Sequence, residues 1–407
     1  MTAAREIVVA RSEAEIADAV LAAALDDKSP FEIVSSASKR DLGRPVSAER
    51  ILDVSPLKGI IKYEPEELVV SARAATPLKD IESALAERKQ MLGFEPADWS
   101  AVFGGDAGQA TLAGTVATNA CGARRVKAGA VRDHVIGCRF VNGSGEAIKA
   151  GGSVIKNVTG FDIPRLMCGA FGTLGVLTEL TFRVVPLPAR TATFALAMSS
   201  AEAGLRALRQ AAVLPVDPTG LAYLPEAALK ASVAARAGSF AGAAGMAVIR
   251  LEGAMTALTE KLAILRQTFG GFDTLTLNDG VTASLFREIS TGGVFANRAT
   301  DIWRVCVPSS AAHEAVERSG AEFWYADWAG GLLWLGLNAD EETAARLRAI
   351  TTRLGGHATL MRASAAARES LSVFEPEPPA RAGLTRTVKA AFDPHRLLNP
   401  DRMFRNC

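Results

Sequence analysis

Sixteen of the chain's 36 glycines fall between Gly93 and Gly175, a fifth of its length. Glycine costs backbone entropy, so this density needs a physical reason. One reason is a loop-rich region with many tight turns. The other is close approach of the main chain to a ligand, with amide N–H groups turned towards it. The stretch has an internal order: Gly104-Gly105-Asp106-Ala107-Gly108, then Thr111 to Gly122, then Val131 to Gly137, then Gly169 to Glu179. A polar run, Ser35-Ser36-Ala37-Ser38-Lys39, stands ahead of them. Neither G-x-G-x-x-G nor G-x-x-x-x-G-K-[ST] occurs, so any phosphate is held by something other than a Rossmann turn or a P-loop. G-x-S-x-G and H-E-x-x-H are also missing, which argues against the common hydrolase and zincin signatures.

The five cysteines, Cys121, Cys138, Cys168, Cys306 and Cys407, are odd in number and far apart, without a C-x-x-C. That spacing suits neither a zinc ribbon nor a cysteine-ligated iron–sulfur cluster. No metal is expected, and any one-electron relay must sit on another chain. Lys+Arg 45 against Asp+Glu 44 leaves +1, too little for a nonspecific grip on nucleic acid. Hydrophobic residues at 49% and charged ones at 22% describe a folded chain, and 407 residues suggest two or three domains. The longest uncharged run, Ala107 to Ala123, falls short of the roughly 20 apolar residues that span a bilayer. With no basic-then-apolar start, the expectation is a cytoplasmic protein.

Strands and helices must position these segments. Ser12-Glu13-Ala14-Glu15 is a capping box, with Ile16, Val20 and Ala24 at helical spacing behind it. A strand from Phe31 runs into the serine turn. Another, Leu68 to Arg73, leads to Thr76 as N-cap with Pro77 at the first helical position, and Leu78, Ile81 and Leu85 form that helix's inner stripe. Val135–Val141 and Glu146–Ala150 flank Asn142-Gly143-Ser144-Gly145 as a hairpin. Gly175–Val185 is a long strand, stopped by Pro186 and Pro188. Strand patterns at Met246–Leu251, Asp301–Val307, Glu322–Trp328 and Leu332–Leu337 then alternate with helices near Ala254–Phe269, Ala311–Arg318 and Asp340–Leu354. The prolines at 376, 378 and 379 mark a second linker before a tail helix carrying Leu384, Val388 and Phe392.

The serine turn, the glycine segments and the closing Asn399-Pro400 resemble, in content and order, the FAD-binding domain of the vanillyl-alcohol-oxidase and p-cresol-methylhydroxylase type. Leu42-Gly43-Arg44-Pro45, Met91 to Pro96, Lys156 to Asp162 and Gly355-Gly356-His357-Ala358-Thr359 are similar to the FAD-binding subunits of bacterial glycolate oxidases. The implied fold is α+β: a two-subdomain FAD-binding domain over 1–187, an antiparallel-sheet α+β cap over 188–379, and a tail, 380–407, returning to the first domain. The resemblance implies noncovalent FAD. It assigns flavin contacts to Ser35, Ser36, Ala37, Ser38 and Lys39, and to Gly105, Thr111, Gly114, Thr115 and Thr118. Further contacts are assigned to Gly122, Gly129, Asp133 and Ile136, to the Thr173, Gly175 and Val176 turn, and to Asn399. Charge-assisted backbone hydrogen bonds contribute ~1.5–3 kcal/mol each, against ~0–1 for an exposed lysine pair, so amides should outweigh any one cation on the pyrophosphate. Gly104 to Gly137 still carries a local +2 from Arg124, Arg125, Lys127 and Arg132 against Asp106 and Asp133.

Alcohol oxidation beside a flavin needs a base and a cation for a substrate carboxylate. Of four histidines, His134 packs within the flavin segment, His313 sits on an alternating-charge helix, and His395 lies in a helix-ending turn. His357 is the one candidate base, with a structural histidine as the commoner reading. Arg304, between Trp303 and Val305, is the candidate carboxylate ligand, with a salt-bridged or snorkelling arginine as the commoner reading. Related D-2-hydroxy-acid dehydrogenases carry a histidine-plus-glutamate cluster that this chain lacks. The resemblance therefore implies an FAD-carrying subunit beside a larger FAD-binding subunit and an iron–sulfur subunit, at the inner membrane only through that complex. A self-sufficient D-2-hydroxy-acid dehydrogenase and a flavin-free scaffold are the alternatives.

Overall fold

A computed structural model describes residues 5–26, 28–152, 160–234 and 242–405. The Lys156–Thr159 part of the motif quoted above lies outside them. The chain divides into two compact units: Met1–Ala120 with Ala130–Leu187 and Pro376–Cys407, and Cys121–Gly129 with Pro188–Glu375.

In the first unit, the Ser12 hydroxyl accepts from the Glu15 N–H at 3.1 Å and opens the helix Glu13–Leu25, which buries Ile16, Val20 and Ala24. Strands β1 (Glu6–Val9), β2 (Phe31–Val34) and β3 (Arg50–Asp53) form a parallel sheet with β3 central. Phe31 and Leu52 from this sheet share one apolar cluster with Ile16, Val20 and, from the tail, Leu397 and Leu398. The second sheet is antiparallel. It comprises β4 (Ile60–Glu64), β5 (Val69–Arg73), β6 (Gln90–Leu92), β7 (Val135–Val141), β8 (Ala147–Gly151) and β9 (Val176–Pro186), in the order β4-β5-β9-β7-β8 with β6 on β9. The helix Leu78–Glu87 buries Leu78, Ile81 and Leu85 as its spacing predicts. Its cap differs. The Thr76 hydroxyl donates to Arg73 O (2.6 Å) and accepts from Gly59 N (2.9 Å), so it closes a turn and Pro77 occupies the cap.

The tail helix, Pro379–Phe392, turns an unexpected side inward. Leu384 is 64% exposed, while Lys389 is buried. The Lys389 ammonium donates to Thr173 O (2.6 Å), Leu398 O (3.0 Å) and the Asp393 carboxylate (2.6 Å). Asp393 in turn accepts from the Leu397 and Leu398 amides, both at 2.9 Å. Removing one partner of such a pair leaves an uncompensated buried charge. Lys389→Met is expected to cost about 3–5 kcal/mol in urea unfolding, and Lys389→Met with Asp393→Asn distinctly less.

The second unit is built on an eight-stranded antiparallel sheet among the described residues. Its strands are β10 (Arg190–Met198), β11 (Gly220–Pro225), β12 (Gly245–Gly253), β13 (Thr274–Leu277), β14 (Ile302–Cys306), β15 (Phe323–Asp327), β16 (Leu332–Gly336) and β17 (His357–Arg362). They run in the order β13-β10-β12-β11-β15-β16-β14-β17. Trp303, Val305, Leu333 and Leu335 pack with Leu205, Leu208, Leu347 and Ile350 of the helices Ala201–Ala212 and Glu341–Leu354.

The sequence reading kept 121–129 within 1–187 and placed 376–379 in the cap. Contacts divide the chain otherwise. The Ala123 amide donates to Ser290 Oγ (3.0 Å), Arg124 pairs with Glu252 (2.7 Å), and Trp328 Nε1 donates to Gly122 O (3.1 Å). These bonds tie the short segment to the second unit.

Candidate functional site

The serine turn leaves β2 and forms one wall of an open cleft in the first unit. Ser35 to Arg40 line it, with Thr111, Gly114 and Thr118 opposite and Phe171, Gly172, Gly175–Leu177, Asn399 and Arg402 closing the rest. Three non-glycine residues here, Ala37, Phe171 and Asn399, hold positive φ of 58°, 53° and 43°. Such conformations cost of order 1–3 kcal/mol each and persist only where surroundings over-determine them.

The surroundings are identifiable. Asn399 Oδ1 accepts from the Ile33 N–H and its Nδ2 donates to Phe171 O, both at 2.8 Å, so one side chain ties β2 to the 171 turn. The Arg402 guanidinium donates to Lys39 O (3.1 Å) and Arg40 O (2.7 Å), fixing the serine turn from the tail. Arg40 forks onto buried Glu32 at 2.8 and 2.6 Å. Ser35 Oγ and Thr111 Oγ1 share a hydrogen bond of 3.1 Å across the cleft.

Lys39 stands apart. It is 8% exposed, and among the described residues its Nζ has no hydrogen-bond partner. A Cβ on Gly114 would come 3.9 Å from that nitrogen and 3.1 Å from Thr111 Oγ1. Burial pushes the ammonium down to about 8, against a smaller opposing pull from Asp98. Unfolded, the group titrates near 10.5. Between these values the unfolded chain binds more protons than the folded one, so stability rises with pH across that window. Ligand-free protein is expected to gain roughly 3 kcal/mol over Lys39→Met between about pH 7.5 and 10.5. Urea titrations of both proteins measure it.

The cleft brings together Ser35, Ser36, Ala37, Ser38, Lys39, Thr111, Gly114, Thr118, Gly175, Val176 and Asn399. The other expected contacts lie elsewhere, each for a visible reason. Gly122 and Gly129 belong to the second unit. Thr115 is fully buried, its hydroxyl donating to Thr111 O at 3.0 Å. Asp133 accepts from the Ala130 amide (2.8 Å) and caps its own turn. The Gly105 amide donates to Ser100 O (3.0 Å), Ile136 sits within β7, and Thr173 lines a separate cavity under the tail helix. Arg124, Arg125 and Lys127 belong to the second unit, where they face Glu252, Trp328 and Asp217. Sequence reasoning missed Arg402 and Gly172. The run Asn399-Pro400-Asp401-Arg402, an arginine three residues beyond a polar capping residue, was the available signal for the first.

The two catalytic candidates share a different place. In the second unit His357 on β17 is registered directly against Cys306 on β14, and Arg304 lies two residues along the same strand face. Arg304 NH1 is 4.0 Å from Cys306 Sγ, and its guanidinium lies 4.8 Å from the centre of the Trp328 ring. His134, by contrast, packs tilted against Phe94 with ring centres 6.0 Å apart, His313 faces Glu317 at 3.4 Å, and His395 is exposed.

Residues 4–151 match the family described as FAD binding domain. Among solved structures, p-cresol methylhydroxylase shares the fold at TM-score 0.69 and 16% identity, over 97% of this chain and 88% of that one. A 4-ethylphenol oxidase from Gulosibacter chungangensis gives 0.70 and 14%, over 98% and 89%. The molecule is thus an FAD-binding flavoprotein of the p-cresol methylhydroxylase fold. Over 385 residues, 94% of both chains, it is 33% identical to glycolate oxidase subunit GlcE of Escherichia coli (strain K12). A D-lactate dehydrogenase of Anaerostipes hadrus is 37% identical over 140 residues, 34% of this chain and 27% of that one. The chain belongs to the GlcE family of FAD-dependent hydroxy-acid oxidoreductase subunits. Among the described residues no helix is long and apolar enough to cross a membrane.

Proposed function

We propose that this chain is the FAD-carrying subunit of a complex that oxidises glycolate, and similar D-2-hydroxy acids, to the 2-oxo acid. It holds one noncovalent FAD in the Lys39 cleft. A larger FAD-binding subunit carries out the oxidation, and an iron–sulfur subunit takes electrons onward, with the assembly cytoplasmic or peripheral at the inner membrane. The supporting observation is the unpartnered Lys39 ammonium, buried at the floor of an open cleft beside a glycine. An unpaired buried cation is costly, and a diphosphate is the anion that would offset it.

FAD, when bound, supplies the two-electron acceptor that hydroxy-acid oxidation needs. Lys39 would neutralise part of the diphosphate charge, with serine-turn amides and hydroxyls from Ser35 and Ser38 sharing the rest. Arg402 and Asn399 act as positioning residues, because each holds a cleft wall through main-chain hydrogen bonds. Arg304 is the group in the second unit suited to a substrate carboxylate. Its placement beside His357 is what favours the second reading, a self-sufficient D-2-hydroxy-acid dehydrogenase.

Absorption spectra of the purified chain, before and after acid precipitation, test the cofactor. Flavin released into the supernatant at about one per chain is the expected result. Protein that stays colourless after incubation with FAD, or flavin retained in the pellet, would contradict it. Occupancy should also depend on Lys39: Lys39→Met is expected to weaken FAD binding by roughly 10- to 100-fold, on the scale of one lost charge-assisted contact.

A further inference from the structure

We propose that Cys306 is a nucleophilic thiol that adds reversibly to the carbonyl of a small 2-oxo acid, whose carboxylate is held by Arg304 and Arg125. The placement carries this. Trp303 and Val305 of β14 are buried in the core of the second unit, while Arg304 and Cys306 alternate with them and are half-buried on the other face. Directly opposed residues on an antiparallel pair project to the same side, so His357, which is exposed, stands beside the thiol. Arg125 lies 4.6 Å over the same Trp328 ring that Arg304 covers at 4.8 Å. Among the described residues no carboxylate pairs with Arg125; its NH1 reaches Cys121 Sγ at 3.4 Å. Arg304, a thiol and an imidazole thus share one strand face, and the indole beside Arg304 carries the second guanidinium.

The electrostatics agree. Burial pushes the Cys306 thiol up, but Arg304, the neighbouring His357 and Arg125 together bring it below its ordinary value. The neighbouring thiol in turn holds the His357 imidazole above its ordinary value. Cys138 and Cys168 go the other way, both pushed up to about 12 by burial.

The step balances without an oxidant. The thiol proton passes to His357, and the thiolate sulfur forms a bond to the carbonyl carbon. The C=O π pair moves onto oxygen, which takes the proton back from the imidazolium, giving a hemithioacetal or hemithioketal that dissociates by the reverse path. Only the identity of the oxo acid, glyoxylate, rests on the functional reading above.

Iodoacetate and iodoacetamide, with peptide mapping of the full chain, test the proposal. Cys306 is expected to label at least about 100-fold faster than Cys168, from their thiolate fractions. Iodoacetate should match or outpace iodoacetamide, the reverse of ordinary thiols, because the arginines gather its carboxylate. Millimolar glyoxylate should slow labelling several-fold. Arg125→Met should lose the iodoacetate preference and keep iodoacetamide labelling. Labelling of Cys306 no faster than Cys168, or no protection by glyoxylate, overturns the proposal. The readout needs no turnover, so the two readings fail separately. A chain that binds no FAD but is protected refutes the functional reading alone. An FAD-loaded chain without protection refutes this one alone.

Discussion

Gly114→Val is expected to fold normally and to purify without flavin. The position is helical, within Leu112–Thr118, so valine costs no more than glycine there. An added Cβ meets only Thr111 Oγ1 at 3.1 Å and Lys39 Nζ at 3.9 Å, both on the cleft side. The two further methyl groups of valine must then fill the space in front of the ammonium. Gly175 lines the same cleft but offers the contrast. Its Cβ would fall 2.6 Å from Phe140 Cδ2 and 3.2 Å from Val141 O, inside the sheet. Gly175→Val should therefore lose stability by more than 1–3 kcal/mol from overpacking, together with any flavin. Circular dichroism melts and flavin content of both variants separate the roles. A Gly114→Val protein that binds FAD as wild type does would remove the diphosphate from the Lys39 floor.

That contrast shows how far one sequence reaches. The glycine segments were legible as close-approach backbone, and so were Ser12, the Leu78–Ile81–Leu85 stripe and most strands of both units. Which glycine serves a ligand and which a neighbouring ring was not, because Phe140 reaches Gly175 only across paired strands. Strands β10 and β11 also escaped. Their central residues are buried on both sides, so the apolar run in each lacks the alternation that marks a half-exposed strand. Lys39 was legible as part of a turn but not as a buried charge. Its burial depends on tail residues such as Arg402, more than 360 positions away. The segment Cys121–Gly129 follows the same logic in reverse. It is contiguous with flavin-type sequence, yet Ser290, Glu252 and Trp328 claim it for the other unit. Exposure of Leu384 shows the limit of helical spacing: a stripe predicts a face only when nothing more polar, here Lys389 with Asp393, has a stronger claim to the interior.

The isolated chain, loaded with FAD and kept without oxygen, should hold its flavin absorbance when glycolate or D-lactate is added. The hydroxyl proton of a 2-hydroxy acid is far too weakly acidic to leave unaided at neutral pH. A positioned base contributes ~10²–10⁴-fold, or about 3–5 kcal/mol, to its removal. Three histidines are spent elsewhere: one on Phe94, one facing Glu317, one in an exposed turn of the tail. The fourth, His357, is registered against Cys306, whose proton it takes in the step proposed above, which leaves the hydroxyl of a 2-hydroxy acid without a base of its own there. Adding the larger flavin subunit and the iron–sulfur subunit should restore bleaching by at least about 100-fold, the low end of what a base supplies. His357→Ala should then leave the rate of the complex within a few-fold of wild type. Fast bleaching in the isolated chain, lost in His357→Ala with FAD retained, would overturn the accessory reading. It would make Arg304 and His357 the carboxylate ligand and base of a dehydrogenase complete in one chain.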